Sequence, residues 1–327
     1  MLKMTVNVER WPLHKPFVIS RMEPMLHGEV VMVEIEQGGI VGRGECERTD
    51  VFEPEYPSVT NELAKVKNLI EQGVSRAQLL TIMPAGNARN AIDCALFELE
   101  AKQQGLSSWQ LAEMATPKPL TTAFTLSLAS PLKMAEEAAT NNWRPMLKLK
   151  LGSDGDLLRV AAVHHAAPNC RLIIDANTSW SLEQLKEYLP QLAKLGVEMI
   201  EQPLPVGQDH LLEGLNPQIP ITADESCLDR SSLPQLRGRY QAINIKLDKT
   251  GGITEALSLL RAAQDEGFEI MVGCMLGTSL AMAPALLIAQ AARWVDLDGP
   301  LLLSADRPAA LEYKGSTVLP ASAELWI

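Results

Sequence analysis

Residues 146–152 read MLKLKLG, apolar residues alternating with two lysines. In an extended strand alternate side chains point to opposite faces, so Lys148 and Lys150 share one face and the leucines the other. Further along, single carboxylates close short apolar runs: Asp175 in RLIIDAN, Glu201 in VEMIEQPL and Asp224 in IPITADES. Lys246 closes AINIKLD, and Asp296 and Asp298 close RWVDLDG. Three converging oxygen donors without histidine or cysteine suit a hard divalent cation, and Mg2+ leaves positions for water or substrate oxygens. A substrate carboxylate held there would have its α-carbon between Lys150 and Lys246. One lysine would remove the α-proton, the cation would stabilise the enediolate, and the other lysine would return the proton from the opposite face. The outcome of that chemistry is racemisation or epimerisation. A basic lysine must be neutral, and both the cation and the Lys148 ammonium are expected to lower its pKa.

Taken singly, each carboxylate also fits a helix N-cap, each lysine a solvated side chain, and DLDGP a turn that leaves the barrel. The series gains meaning from its period. Successive sites fall about 22 to 28 residues apart, one strand-plus-helix unit, with Cys274 of FEIMVGC in the same rhythm. The expected strands are TTAFTLSL, PMLKLKL, RLIIDAN, VEMIEQPL, IPITADES, AINIKLD, FEIMVGC and RWVDLDG. Amphipathic stretches such as SLEQLKEYLPQLAKLG and GITEALSLLRAAQDEG lie between them. That alternation predicts an α/β fold, a (β/α)7β TIM-like barrel whose strand ends converge on one mouth. Lys246 and Asp248 are expected on one face of the sixth strand.

The preceding residues are organised differently. MTVNVERW and GEVVMVEIEQGGIVGRGEC read as strands with a Gly-Gly hairpin, followed by helices over about 61–73 and across NARNAIDCALFELEAKQQG. Strands first and helices later indicate an α+β unit. The expected division is a capping domain at 1–118, a catalytic barrel at 119–300, and a segment at 301–327 that returns to the cap.

With 327 residues, 46% of them hydrophobic, the chain can bury a sizeable core. A formal net charge of -11 opposes binding to nucleic acid. The five cysteines are scattered singly, without zinc or disulfide spacing, which fits a reduced compartment. No run reads as a signal peptide or a membrane span, so a cytoplasmic protein without a membrane partner is expected. KTGG lacks the spacing of a phosphate loop.

With its K-x-K pair, IIDAN, IEQPLP, ADES and IKLDKTGG, the sequence resembles the enolase superfamily, in its muconate-lactonizing-enzyme subgroup. That resemblance runs from PFVISR through AIDCALFELEAK to DLDGP and implies an enolase-like fold with one Mg2+ per subunit, held by Asp175, Glu201 and Asp224. Within it the chain is most similar to the bacterial dipeptide epimerases, which commonly act on L-Ala-D/L-Glu from murein peptides. The resemblance implies that Asp296 and Asp298 receive the dipeptide ammonium and that Lys148, Thr125 and Cys274 touch substrate. Arg21, in the capping loop, would meet the acidic side chain of a C-terminal Glu. RMEPMLHG and ERTDVFEPEYPS depart from the family's capping loops, which select that side chain. No histidine is expected at a strand end: His164 and His165 read as helical, and His14, His27 and His210 fall in the cap or loops, so the His-Asp base of the mandelate racemase branch is missing. Other lysine-based members, namely N-acylamino acid racemase, o-succinylbenzoate synthase and cycloisomerase, remain alternatives, as does a barrel that binds an amino-acid-like ligand without chemistry. Superfamily members are often multimeric, so a homo-oligomer is a further expectation by analogy.

Overall fold

The computed structural model describes residues 2–20, 22–51, 55–152 and 154–327. Gly38 and Gly39 take φ of +62° and +84°, the backbone of a tight hairpin turn that glycine adopts without strain. The turn joins β2 (Met25–Gln37) to β3 (Ile40–Glu47), and β1 (Lys3–Phe17) pairs antiparallel along the other side of β2. Pro12 and Pro16 fall on this edge strand, whose register shifts between Pro12 and Phe17.

Three helices follow: α1 (Val59–Glu71), α2 (Arg76–Ile82) and α3 (Asn87–Gln104). Helix α3 buries Ala88, Ala91, Ile92 and Ala95 against Val31, Val33, Ile35 and Cys46 of the sheet. A Cβ added at Gly44 would lie 2.1 Å from the Ala91 carbonyl oxygen, and one at Gly42 2.1 Å from that of Ala95. The helix therefore rides on the bare backbone of β3.

After β4 (Leu120–Thr121), eight parallel strands run in chain order: β5 (Phe124–Leu126), β6 (Met146–Lys150), β7 (Arg171–Asp175), β8 (Val197–Glu201), β9 (Ile221–Ala223), β10 (Ala242–Ile245), β11 (Glu269–Val272) and β12 (Trp294–Val295). The Ala123 N–H donates to the Val295 carbonyl at 2.8 Å, and the Leu297 N–H donates to Thr122 Oγ1 at 2.8 Å. These bonds close the first strand onto the last, giving the barrel expected from the periodicity.

Strand alternation sorts the side chains into two sets. Leu147, Leu149, Leu151, Leu172 and Ile174 pack outward in the main core. Ala123, Met146, Ile173, Met199, Ala242, Met271 and Trp294 form a separate apolar floor. Two residues further along six of the same strands stand Thr125, Lys148, Asp175, Glu201, Asn244 and Asp296, all buried. The interior thus changes from apolar to charged within one strand repeat.

The expected strand through Asp248 ends earlier. β10 stops at Ile245, because the Lys246 carbonyl accepts the N–H groups of Lys249 and Thr250 and starts a helical turn, Leu247–Thr250. Beyond the barrel, β13 (Tyr313–Lys314) and β14 (Thr317–Val318) form a hairpin paired with β4. The chain end lies on the cap: Trp326 stacks on Phe97 of α3 with centroids 5.7 Å apart and donates its Nε1–H to the Arg43 carbonyl. All five cysteines are free, and no helix among the described residues is long and apolar enough to cross a membrane.

Gly44→Ala is expected to force α3 off the sheet and cost about 1–3 kcal/mol, measured by urea denaturation. An unchanged midpoint would contradict the close approach of α3 to β3.

Candidate active site

Parallel pairing sets Lys150 of β6 opposite Asp175 of β7, and Asp175 opposite Glu201 of β8. The second alignment depends on a bulge. Leu172 pairs with Val197, but the next residue, Ile173, pairs with Met199, leaving Glu198 extra. Without the bulge Asp175 would face Ile200, and the inward and outward sets of β8 would exchange. The backbone just past these strands is held in unusual conformations: Asn177, Thr178 and Gln202 have φ of +45°, +64° and +33°. The Asn177 N–H donates to Asp175 Oδ1 at 2.9 Å, and Gln202 Oε1 accepts the Asp224 N–H at 2.9 Å.

At the centre is the Lys148 ammonium, only 1% exposed. It lies 2.7 Å from Glu201 Oε2, 2.8 Å from Asp296 Oδ2 and 3.3 Å from Asp175 Oδ2. Lys150 donates to Asp175 Oδ2 at 2.6 Å, and Lys246 donates to Asp224 Oδ2 at 2.6 Å. Lys150 and Lys246 thus stand at the two ends of the series Asp175, Glu201, Asp224. Two further polar partners were not singled out from the sequence. Lys249 pairs with Asp224 Oδ1 at 2.5 Å, and Asn244 Nδ2 donates to Glu201 Oε1 at 2.6 Å. Asn244 sits two residues before Lys246 in AINIKLD, so the strand period carried its signal; Lys249 becomes a neighbour only through the helical turn.

The surrounding carboxylates favour the charged form of Lys148 and Lys246. Burial by itself lowers the Lys246 pKa, but the carboxylates of Asp224 and Glu201 outweigh it and leave the pKa raised. Burial opposes charge at Lys148 too, yet Asp296, Glu201 and Asp175 hold its pKa well above the ordinary lysine value. Lys150 and Lys148 share one carboxylate oxygen, Asp175 Oδ2, which lies 2.6 Å from the first ammonium and 3.3 Å from the second. Among the acids, burial raises Asp175, but Lys150 and Lys148 prevail and bring it down to about 2. Glu201 is raised to about 7, first by burial and then by Asp175.

Thr125 and Asp298 meet directly: the Thr125 N–H donates to Asp298 Oδ2 at 2.6 Å, while Thr125 Oγ1 lies 3.3 Å from Asp296 Oδ1. Burial and the Asp296 charge lift Asp298 to about 7. Cys274, in the loop after β11, has its thiol pKa pushed well up by burial and by Asp296 and Asp298. These groups open into a cavity of about 420 Å3 between the barrel mouth and the cap. Lys148, Lys150, Asp224, Lys246, Asp296 and Asp298 line it from the barrel, and Phe17, Ile19, Met22 and Met25 from the cap. Arg21 lies outside the described residues; its neighbour Ser20 places Oγ 3.0 Å from Ser179 Oγ on the loop after β7. His164 and His165 are in the helix Asp156–Ala166, away from strand ends.

The donor set fits a hard cation. Asp175 and Glu201 end β7 and β8 and Asp224 directly follows β9, and Glu201 Oε2 and Asp224 Oδ1 are buried with ion-pair partners but no hydrogen bond. Among the described residues no three acidic, histidine or cysteine side chains stand grouped so as to hold a metal ion as they are. Lysine ammonium groups take up the carboxylate oxygens instead.

Both Asp298 and Glu201 would ionise near pH 4 in the unfolded chain and near 7 when folded. The folded protein then binds more protons across that interval, so its metal-free stability should fall as pH rises from about 4 to about 7 and level off above. Asp298→Asn is expected to make the decline shallower in urea titrations with EDTA. An equally steep decline would contradict the burial of Asp298 as a carboxylic acid.

Two family models match the chain: "Mandelate racemase / muconate lactonizing enzyme, N-terminal domain" over residues 1–112 and "Enolase C-terminal domain-like" over residues 132–303. The L-Ala-D/L-Glu epimerase of Escherichia coli is 44% identical over 316 residues, 96% of this chain and 98% of that protein. An N-acetyl-D-glutamate racemase of Pseudoalteromonas is 46% identical over 76% of this chain and 79% of its own length. A crystal structure of an enolase family member from Agrobacterium tumefaciens, with homology to dipeptide epimerases and with bound sodium and L-Ala-L-Glu, superposes with a TM-score of 0.95 at 45% identity over 100% of both chains. The dipeptide epimerase of Enterococcus faecalis, complexed with Mg and L-Leu-L-Tyr, gives a TM-score of 0.89 at 26% identity, covering 98% of this chain and 97% of that one.

Proposed function

The chain belongs to the mandelate racemase / muconate lactonizing enzyme family of the enolase superfamily, and on that premise we propose that it is a Mg2+-dependent dipeptide epimerase acting on L-Ala-D/L-Glu or a close relative. The observation that carries the reading is the placement of Lys150 and Lys246 at opposite ends of the Asp175, Glu201, Asp224 series, with both lysines lining one cavity. Proton transfer at one α-carbon from two opposed bases inverts its configuration.

Asp175, Glu201 and Asp224 would hold the cation. Bound there, Mg2+ would supply positive charge that stabilises the enediolate and favours the neutral form of a neighbouring lysine. The chain's own groups do the rest. Lys150 Nζ and Lys246 Nζ each begin hydrogen-bonded to a carboxylate, and the base of a given direction is the one that has released its proton. The other keeps its proton and delivers it to the far face. Lys148, tied to Asp296 and Glu201, is positioned to offer fixed charge to the substrate carboxylate. Asp296 and Asp298 would receive the dipeptide ammonium, whose arrival favours the ionised form of Asp298. Thr125, which orients both, and Cys274 line the same end. The cap excludes water, and Arg21 is assigned to the acidic side chain of the C-terminal residue.

A division into a cap at 1–118, a barrel at 119–300 and a returning segment at 301–327 accompanies this reading. So does a cytoplasmic role in murein peptide turnover, supported by five unpaired thiols. The N-acetyl-D-glutamate racemase relative favours a second reading, racemisation of an N-acylated amino acid. Two carboxylates at the amino end of the cavity weigh against it, because an acetamide brings no charge to offset them.

In D2O the purified protein is expected to replace the C-terminal α-proton of L-Ala-L-Glu and form the other diastereomer, observed by NMR, and to stop when EDTA removes the metal. Lys150→Ala and Lys246→Ala should each slow inversion by ~100-fold or more while the protein stays folded. Normal turnover by either variant would refute the two-base assignment. A higher kcat/KM for N-acetylglutamate than for the dipeptide would favour the second reading.

A further inference from the structure

The two lysines are supported differently. Lys150 ends β6, a strand flanked on both sides by partners of the closed sheet. Lys246 follows the last residue of β10 and opens a helical turn that leans on the cap. Along α3, Arg89, Asn90 and Asp93 face that turn. Arg89 donates from Nη2 to the Thr250 carbonyl at 2.6 Å and from Nε to the Gly251 carbonyl at 3.0 Å. Asn90 Nδ2 donates to Asp248 Oδ1 at 2.9 Å. Asp93 accepts the Thr254 N–H at 2.8 Å and the Thr254 hydroxyl at 2.7 Å.

All three cap side chains are at most 5% exposed. The chain they hold has little freedom: Gly251 and Gly252 take φ of +69° and +115°, and a Cβ there would lie 2.5 Å from Arg89 Nε and 2.3 Å from Asp93 Oδ2. The glycines let the cap grip the backbone directly, within a few residues of the Lys246 ammonium. Neither Lys150 nor its partner Asp175 hydrogen-bonds to α3; their bonds run to one another and to Asn177.

We propose that Arg89, Asn90 and Asp93 are positioning residues for Lys246 alone, so that the cap helix controls proton transfer on one face of the substrate and not on the other. The inference rests on the reading of Lys150 and Lys246 as opposed bases. The physical reason is geometric: a base must meet its proton at hydrogen-bond distance, and a displacement near 1 Å costs up to about 100-fold in rate.

The test follows α-proton exchange in D2O with Mg2+, starting separately from L-Ala-L-Glu and L-Ala-D-Glu. Lys246→Ala identifies the diastereomer whose exchange depends on Lys246, since the other still exchanges at Lys150 without inversion. Arg89→Lys and Asn90→Ala should slow exchange of that same diastereomer by about tenfold or more and leave the other within about twofold. An equal loss for both diastereomers would assign these residues a merely structural role, and no loss for either would likewise overturn the proposal. If Arg89→Lys fails to fold, Asn90→Ala, which removes a shorter side chain's contacts, decides. Should Lys246→Ala slow both diastereomers equally or neither, the opposed-base reading itself fails and this inference falls with it.

Discussion

A lysine ammonium buried among three carboxylates is the constraint around which this molecule is arranged. Lys148 sits within 3.3 Å of Asp175, Glu201 and Asp296. Moving any one of these charges out of water costs several kcal/mol, and the cluster persists because each charge meets an opposite one at short range. Removing one partner leaves another buried and unpaired. The other ion pairs extend the same condition: Lys150 with Asp175, Lys246 and Lys249 with Asp224. The site is built so that charge can be shifted within it but not omitted from it.

The fold supplies what that cluster requires. Below it, the apolar floor from Ala123 to Trp294 keeps water from entering through the base of the barrel. Above it, the cap closes a cavity whose upper wall carries Phe17, Ile19, Met22 and Met25. The cap can be a precise lid because α3 lies against β3 without intervening side chains at Gly42 and Gly44, and because the chain end returns to it through Trp326. A second buried network secures the same junction from the other side: Glu45 of β3 accepts hydrogen bonds from Thr278, after β11, and from Arg307. Cap and barrel therefore meet through charged groups on both flanks of the mouth, the arrangement expected where a site is completed by two domains.

Alternation and spacing are properties of the chain, and they carried much of the site. A period of two in MLKLKLG put Lys148 and Lys150 on one face, and a period of about 22 to 28 residues put successive acids at successive strand ends. The residue types then limited the chemistry to oxygen ligands with amine bases. The limits of that reading were equally physical. Lys246 and Asp248 do not share a strand, since β10 ends one residue before Lys246 and the turn carries Asp248 toward Asn90 of α3. With only the chain's own groups acting, Lys148 and Lys246 are held above the ordinary lysine value, because paired carboxylates outweigh burial.

By itself, then, the sequence determined which side chains face inward and in what order they come around a barrel, because strand period and strand-helix alternation are local. Tertiary structure alone decided how those side chains meet. The Glu198 bulge sets Glu201 level with Asp175, closure through Ala123 and Val295 brings Asp296 to Lys148, and α3 reaches the turn after Lys246 across more than 150 residues of chain. Each is a contact between segments far apart in sequence, and no local propensity encodes the register at which distant backbones pair.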